Sequence, residues 1–544
     1  MPRASLGEAL RDAVRAAAPG PLADVLARVD AAVPRLRSAR ETRELHDALL
    51  YTIAHPPDGE SRHRAEALLD RLASRIESNP ALAGRLQNSG LAGTAIVSEF
   101  SLPVVRALVA AEPDHVALHS TDADFALTQL FVREALLPPE REHLEREQHP
   151  LDRWLARHAP PERRLALLLR WIESSTADAR IQELLFAALR VYVLWRLGAA
   201  SASLTHARGL PRELFLARDR VREVRLDEWV AKPLPRPVRL GRGDAERLLT
   251  SVRGVLACLL REIDTVTYVD LRSVALYRLE RGLDIALFGM RPGDRLALES
   301  YVGYMAFRNG VPAAYGGTWL FGHRCKIGIN VFPFMRGGES ALVLAQLVRV
   351  YARRYGPGVF FVEPYQIGRG NPDGIRSGAF WFYYRLGFRP VQAGLAELAS
   401  RAYAALQRGE RTSPGVLRRL ADSDLRWTVP GATTEPLADP YSVNHALTAF
   451  VEQTHGGDRV AAVRRTRAST ARLLRGHCTA GETAAINATY GPLLAMLPGV
   501  REWPERDRAA LARLLRAKLA GDERDYALGL ARHTRFLRAL ALSP

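Results

Sequence analysis

At 544 residues the chain is long enough for about two to four domains, and 47% apolar with 25% charged residues is the composition of a soluble globular protein. Its 76 basic and 59 acidic residues leave a net charge of +17, carried almost wholly by arginine because Lys232, Lys326 and Lys518 are the only lysines. Cys258, Cys325 and Cys478 stand too far apart for a disulfide framework or a zinc spacing, which excludes a small secreted scaffold and fits a reducing cytoplasm. The basic excess suits an acidic partner, RNA or an acidic carrier protein. It suits equally well a coding bias toward arginine, and because the charge is spread along the whole chain, composition leaves both readings open.

Residues 1–235 read as helices throughout. Leu6, Leu10 and Val14 share one face, and Leu22, Val25, Leu26 and Val29 the next. Pro19-Gly20-Pro21, Pro56-Pro57, Pro138-Pro139 and Pro160-Pro161 separate the segments. The most apolar candidate, Ile181 to Ala200, is interrupted by Glu183, Arg190 and Arg196, so it predicts a buried or amphipathic helix rather than a membrane span. Asp122 and Asp124 read as helix-start residues rather than a metal pair, and no metal site is predicted.

Lys232-Pro-Leu-Pro-Arg-Pro237 and the residues to Gly243 read as a linker, with Asp244 as the N-cap of a helix reaching Ile263. A second region, 244–395, then changes character. Thr265-Val-Thr-Tyr-Val269 and Asp284-Ile-Ala-Leu-Phe288 have the β-branched and aromatic content of strands. Leu296–Arg308 and Val311–Leu320 flank Asn309-Gly310, the signal of a two-residue hairpin. Cys325–Phe332 predicts another strand. After it come Arg336-Gly-Gly-Glu339, a long amphipathic helix, the strand Val359–Glu363, a polar loop and an aromatic helix. From 396 to 544 the chain reads as helices again, with Trp427–Pro440 a loop and Arg459–Arg475 rich in arginine. The predicted class is α+β: a central mixed sheet between largely helical N- and C-terminal regions.

Two pieces of the middle region carry a resemblance. Pro333-Phe-Met-Arg336-Gly337-Gly338-Glu339-Ser340-Ala341 resembles the acyl-CoA pyrophosphate turn of the GCN5-related N-acetyltransferase (GNAT) superfamily, and Ala379-Phe-Trp-Phe382-Tyr383-Tyr384-Arg-Leu-Gly387-Phe388 resembles that superfamily's Phe-Tyr ending. The resemblance covers roughly residues 265–395. It implies an acyltransferase moving an acyl group from a thioester donor to an amine. The donor would be acetyl-CoA or another acyl-CoA, or an acyl group on a carrier protein or tRNA. Arg336, Gly337, Gly338, Glu339, Ser340 and Ala341 would bind the pyrophosphate through free N–H groups at the helix start. Backbone N–H groups near Val331 would hold the oxyanion, Tyr383 would protonate the departing thiolate, and Glu363 would take the amine proton. Tyr365, Gln366, Arg369 and Asn371, in the polar loop, would border the acceptor.

Two positions depart from the family pattern. Glu339 stands at the central glycine, where a carboxylate is expected to bond its own helix's N–H groups and repel pyrophosphate. Arg376 stands where the family often has asparagine. The alternative is therefore a catalytically degenerate GNAT-like protein serving as a basic module for nucleic acid or protein. Rival signatures are absent: glycines 368, 370 and 374 do not fit Gly-x-Gly-x-x-Gly, and there is no phosphate-binding Gly-Lys loop, His-Glu-x-x-His or Gly-x-Ser-x-Gly.

Overall fold

The structure, a computed structural model, describes residues 5–16, 19–144, 148–198, 202–219, 221, 223–336 and 339–541. The fold is mixed α+β. Its centre is a nine-stranded sheet of β4 (Ala275–Arg278), β5 (Leu283–Gly289), β6 (Ser300–Arg308), β7 (Val311–Phe321), β8 (Arg324–Ile327), β9 (Asn330–Val331), β10 (Val359–Val362), β11 (Arg389–Pro390) and β12 (Leu425–Thr428). The strand order is β11-β12-β10-β8-β7-β6-β5-β4, with β9 pairing on β7. Among the described residues β8 and β10 are the only parallel neighbours. A parallel pair needs a crossover connection, and the helix Ser340–Tyr355 supplies it.

Alternation along the strands sends side chains to two separate cores. Leu283, Ile285 and Leu287 of β5, with Tyr304 of β6, pack under the helices Ser340–Tyr355 and Ala379–Arg385. Ala286, Phe288, Met305 and Phe307 point the other way, onto the helix Arg242–Cys258 and onto Leu45, Leu49 and Ile53 of the helix Ala39–Ala54. The N-terminal helices thus cover one face of the sheet directly. At the β6–β7 hairpin Asn309 and Gly310 have φ of 47° and 81°, the pair of positive angles that this dipeptide predicts. Asn309 is also buried: its Oδ1 accepts the Phe215 N–H at 2.9 Å, and its Nδ2 donates to the oxygens of Ala54 (3.0 Å) and Phe215 (2.8 Å).

Five expectations about elements need correction. The N-terminal region is not all helix, because β1 (Ala95–Glu99), β2 (Val116–Thr121) and β3 (Val191–Arg196) form an antiparallel sheet with its own core. The expected helix from Ile181 stops at Ala188. Arg190 takes φ 47°, and Val191, Val193 and Trp195 then alternate inward as a strand. Thr265–Val269 is not a strand but contains a helical turn, Asp264–Thr267, packed so closely on β6 that a Cβ on Gly303 would lie 1.9 Å from the Thr265 hydroxyl. The stretch expected to be a loop from Trp427 begins as β12, which inserts between β10 and β11 and carries the sheet past the boundary drawn at residue 395. Asp244 sits in the first turn of its helix, whose N-cap is Gly241.

The C-terminal helices from Pro440 to Ala541 close over Phe321 through a further core. A buried ion cluster fixes them to the sheet: Lys518 Nζ donates to both Glu523 oxygens (2.8 and 2.9 Å) and to the Glu299 carbonyl (2.8 Å), while Ser300 Oγ donates to Glu523 (2.6 Å). Among the described residues no helix is long and apolar enough to cross a membrane.

Candidate active site at the splayed strands

β8 and β10 pair through Val359–Arg324, Phe360–Cys325 and Phe361–Lys326, and then part. The chain after Ile327 stays with β7 by way of β9, whereas β10 ends at Val362 because Pro364 has no N–H for a ladder and opens the short helix Pro364–Ile367. A notch opens between the two. The ladder bond near its upper end is donated by Phe332 N–H to the Ala313 oxygen at 3.1 Å. Val331 therefore faces Ala314 as a non-hydrogen-bonded pair, and its own N–H points away from β7, into the notch.

Among the described residues, Tyr304, Gln366 and Tyr383 stand against the Gly328–Ile329 side of the notch. Tyr304 donates its hydroxyl to the Gly328 carbonyl at 2.6 Å. Gln366 lies over Gly328 so closely that a Cβ there would come within 2.8 Å of its amide. Tyr383 rises from the aromatic helix, packed edge-on against Phe382 and Phe388 and almost wholly buried. Burial pushes its phenol well above the usual range, and a backbone hydrogen bond from Ile329 offsets only part of that. The proton is held firmly at neutral pH.

At the mouth, Lys326 Nζ donates to Glu363 Oε1 at 2.8 Å. Burial works against the lysine's charge, but the hydrogen bond and charge of Glu363, with Glu299 behind, lift its pKa above the usual value. The pair forms one end of a cleft of about 320 Å³ on the face opposite Tyr383, near the lower limit of the ~300–1,000 Å³ common for small-molecule sites. Tyr301 and Trp319, cross-strand partners stacked 4.4 Å apart, make its wall. Gly317 makes its floor, since a Cβ there would strike the Tyr301 ring.

The structure brings some of the predicted residues together and separates others. Glu363, Tyr365 and Gln366 line the cleft, with Tyr365 exposed at its rim. Arg369 and Asn371 are not among its lining residues. Asn371 caps the helix Pro372–Ser377, accepting the Gly374 N–H at 3.2 Å and donating to the Tyr365 oxygen at 3.0 Å. In the phosphate turn Arg336 is exposed, Ser340 opens the helix Ser340–Tyr355, Ala341 packs against the sheet core, and Gly337 and Gly338 lie outside the described residues.

Glu339 does not do what its position suggested. It makes no cap to its own helix. Its carboxylate turns inward, where Oε2 takes Arg308 at 2.7 Å and Oε1 takes Arg281 at 3.0 Å and the Val221 N–H at 2.9 Å. Two guanidiniums neutralise the charge that was expected to repel pyrophosphate.

Sequence reasoning missed Tyr301, Trp319, Lys326 and Arg261 as parts of the site. One signal was available, the consecutive glycines 316 and 317 inside a strand, which mark a close approach to a backbone. Among the described residues no cluster of His, Cys, Asp and Glu is arranged to hold a metal ion. Comparison with protein-family models, curated proteins and solved structures finds no match for this chain.

Proposed function

We propose that the chain is a GNAT-like acyltransferase that passes an acyl group from a thioester, in the first instance an acyl-CoA, to an amine. The observation that carries this reading is the notch: a parallel strand pair that separates just where a buried, protonated tyrosine sits on one side and a carboxylate-lined cleft on the other. The thioester carbonyl would lie across the notch with its oxygen toward the Val331 N–H. The amine, entering from the cleft, gives its proton to Glu363 and forms the C–N bond as the C–S bond breaks, and the leaving thiolate takes the Tyr383 proton. Arg336 and the start of the helix Ser340–Tyr355 face the donor's phosphates. Gln366 must swing off Gly328 for the thioester to enter.

The test is calorimetric titration of the full chain with acetyl-CoA and longer acyl-CoAs, followed by an acyl-transfer assay on small amines. Binding is expected, and Tyr383→Phe should keep it while lowering turnover by about 10²–10⁴. Absence of binding to any acyl-CoA defeats the coenzyme A form of the reading.

A second reading, a basic module for nucleic acid, is favoured by one surface. On the helix Arg459–Leu473 and just beyond it, Arg464, Arg465, Arg467, Arg472 and Arg475 are exposed, and among the described residues none has an acidic partner. Binding of single-stranded RNA that weakens steeply with salt and survives Tyr383→Phe would support it.

A further inference from the structure

The cleft has charge at both ends. Its inner end is the Lys326–Glu363 pair, and its outer rim is the turn Leu260–Ile263, of which Arg261, Glu262 and Ile263 line the cavity. That rim is built under backbone strain. The helix Arg242–Cys258 finishes with Leu260 N–H bonded to the Ala257 oxygen (3.0 Å) and Arg261 N–H to the Leu256 oxygen (2.9 Å), a termination that glycine normally serves. Leu260 takes the left-handed conformation instead, at φ 53°, which is unfavourable for a residue with a side chain. Its side chain stays 41% exposed, so little burial offsets the strain. Strain of this kind concentrates where a chain must present a particular group.

The group presented is Arg261. Its charge acts on the nearby Tyr315 hydroxyl, and among the described residues no carboxylate lies within ion-pair distance of it. Glu262 beside it gives one oxygen to the Ser101 N–H at 2.8 Å. The stacked rings of Tyr301 and Trp319 line the same cavity as the guanidinium and Glu363. We infer that the acceptor is an amino acid: a primary amine directed at Glu363, a carboxylate held by Arg261, and an apolar side chain along the two rings. This rests on the acyltransferase reading for the fate of the amine, but the binding claim stands by itself. A planar, always-charged fork suits a carboxylate.

The experiment is ligand-observed NMR and calorimetry on the full chain with no acyl donor, using L-phenylalanine, phenethylamine, which lacks the carboxylate, and O-phosphoethanolamine, whose anion is a phosphate. L-Phenylalanine is expected to bind best, and Arg261→Gln should weaken it by about 10- to 100-fold while leaving phenethylamine unchanged. Leu260→Gly, which relieves the strain without touching the guanidinium, reports whether the turn still folds and should retain binding. The inference is overturned if phenethylamine binds as well as L-phenylalanine, if Arg261→Gln has no effect, or if O-phosphoethanolamine binds more tightly. A chain that binds L-phenylalanine through Arg261 but no acyl-CoA overturns only the acyl-CoA reading. One that binds acyl-CoA but no amino acid overturns only this inference.

Discussion

Glu339 shows how one side chain can read differently in sequence and in space. At the head of a helix a carboxylate commonly bonds the free N–H groups of its own first turn. Here that carboxylate is nearly buried and shared between Arg281 and Arg308, and each guanidinium also lies over the ring of Phe215. Burial pulls the Arg308 pKa down to about 10, with Glu339 opposing it. Removing the carboxylate would leave the Arg308 guanidinium desolvated without an acidic partner, while Arg281 keeps Asp219, and breaking a buried pair costs ~3–5 kcal/mol. Glu339→Ala should therefore lower the urea midpoint by that amount of stability. It should not sharpen coenzyme A binding, because the charge it removes is already neutralised. An unchanged urea midpoint would mean that Arg308 reaches water or another acid when Glu339 is gone. Its partners lie at Arg281, Arg308 and Val221, far along the chain, so spacing around Glu339 had no means of disclosing them.

At the scale of elements, the helical C-terminal region ends in two helices, Glu523–Arg532 and Thr534–Ala541, broken at His533. Both ring nitrogens of His533 are committed: Nε2 donates to the Asp507 oxygen (3.0 Å) and Nδ1 accepts the Phe536 N–H (3.2 Å), which fixes the neutral tautomer. Burial lowers its pKa below the usual 6.5, with the Asp507 carbonyl and charge opposing. The unfolded chain therefore binds this proton more readily than the folded one. The stability contributed is complete above about pH 6.5 and is lost as pH falls through the depressed folded value. The melting temperature should be flat above neutrality and fall on the acid side. His533→Gln should shallow that fall without abolishing it, because burial also lowers His206 and His323. A melting temperature independent of pH down to about 5 would rule this out. Elements with strong local signals were legible: the Asn309-Gly310 hairpin, the helix Ser340–Tyr355 and the strand Val359–Val362. Elements set by distant contacts were not. β12 is a four-residue strand that exists because β10 and β11 offer it two edges, and Asp264–Thr267 coils because Thr265 must fit against Gly303. At the splayed strands, Tyr383 and Glu363 were singled out from their place in the chain, whereas Arg261 reaches the cleft only through a leucine held in a left-handed turn.

For the whole molecule, the question is whether the sheet region can stand by itself. Sequence divides the chain at 235–244 and at 395, and the fragment 244–395 would hold both β8 and β10 and the buried tyrosine. Yet Phe288, Met305, Phe307 and Val311 bury themselves in a core shared with helices from the first ninety or so residues. Exposing them costs ~1.5–3 kcal/mol each, a sum comparable with the ~5–15 kcal/mol net stability of an entire domain. The same cut removes β12, leaving β10 an unpaired edge and β11 without a neighbour, and it removes Glu523, the buried partner of Ser300. The isolated fragment should therefore bind a hydrophobic dye and lack near-ultraviolet circular dichroism. In the full chain the N-terminal helices and the sheet should unfold in a single transition, because neither surface can be wetted without the other. Paired probes would check this: the Trp319 fluorescence of the sheet, in a variant with the other tryptophans replaced, against hydrogen exchange in the helix Ala39–Ala54. If the two probes melted separately, or if 244–395 gave a sharp, cooperative transition, the shared core would not be what holds the sheet, and the notch would belong to a domain that folds alone.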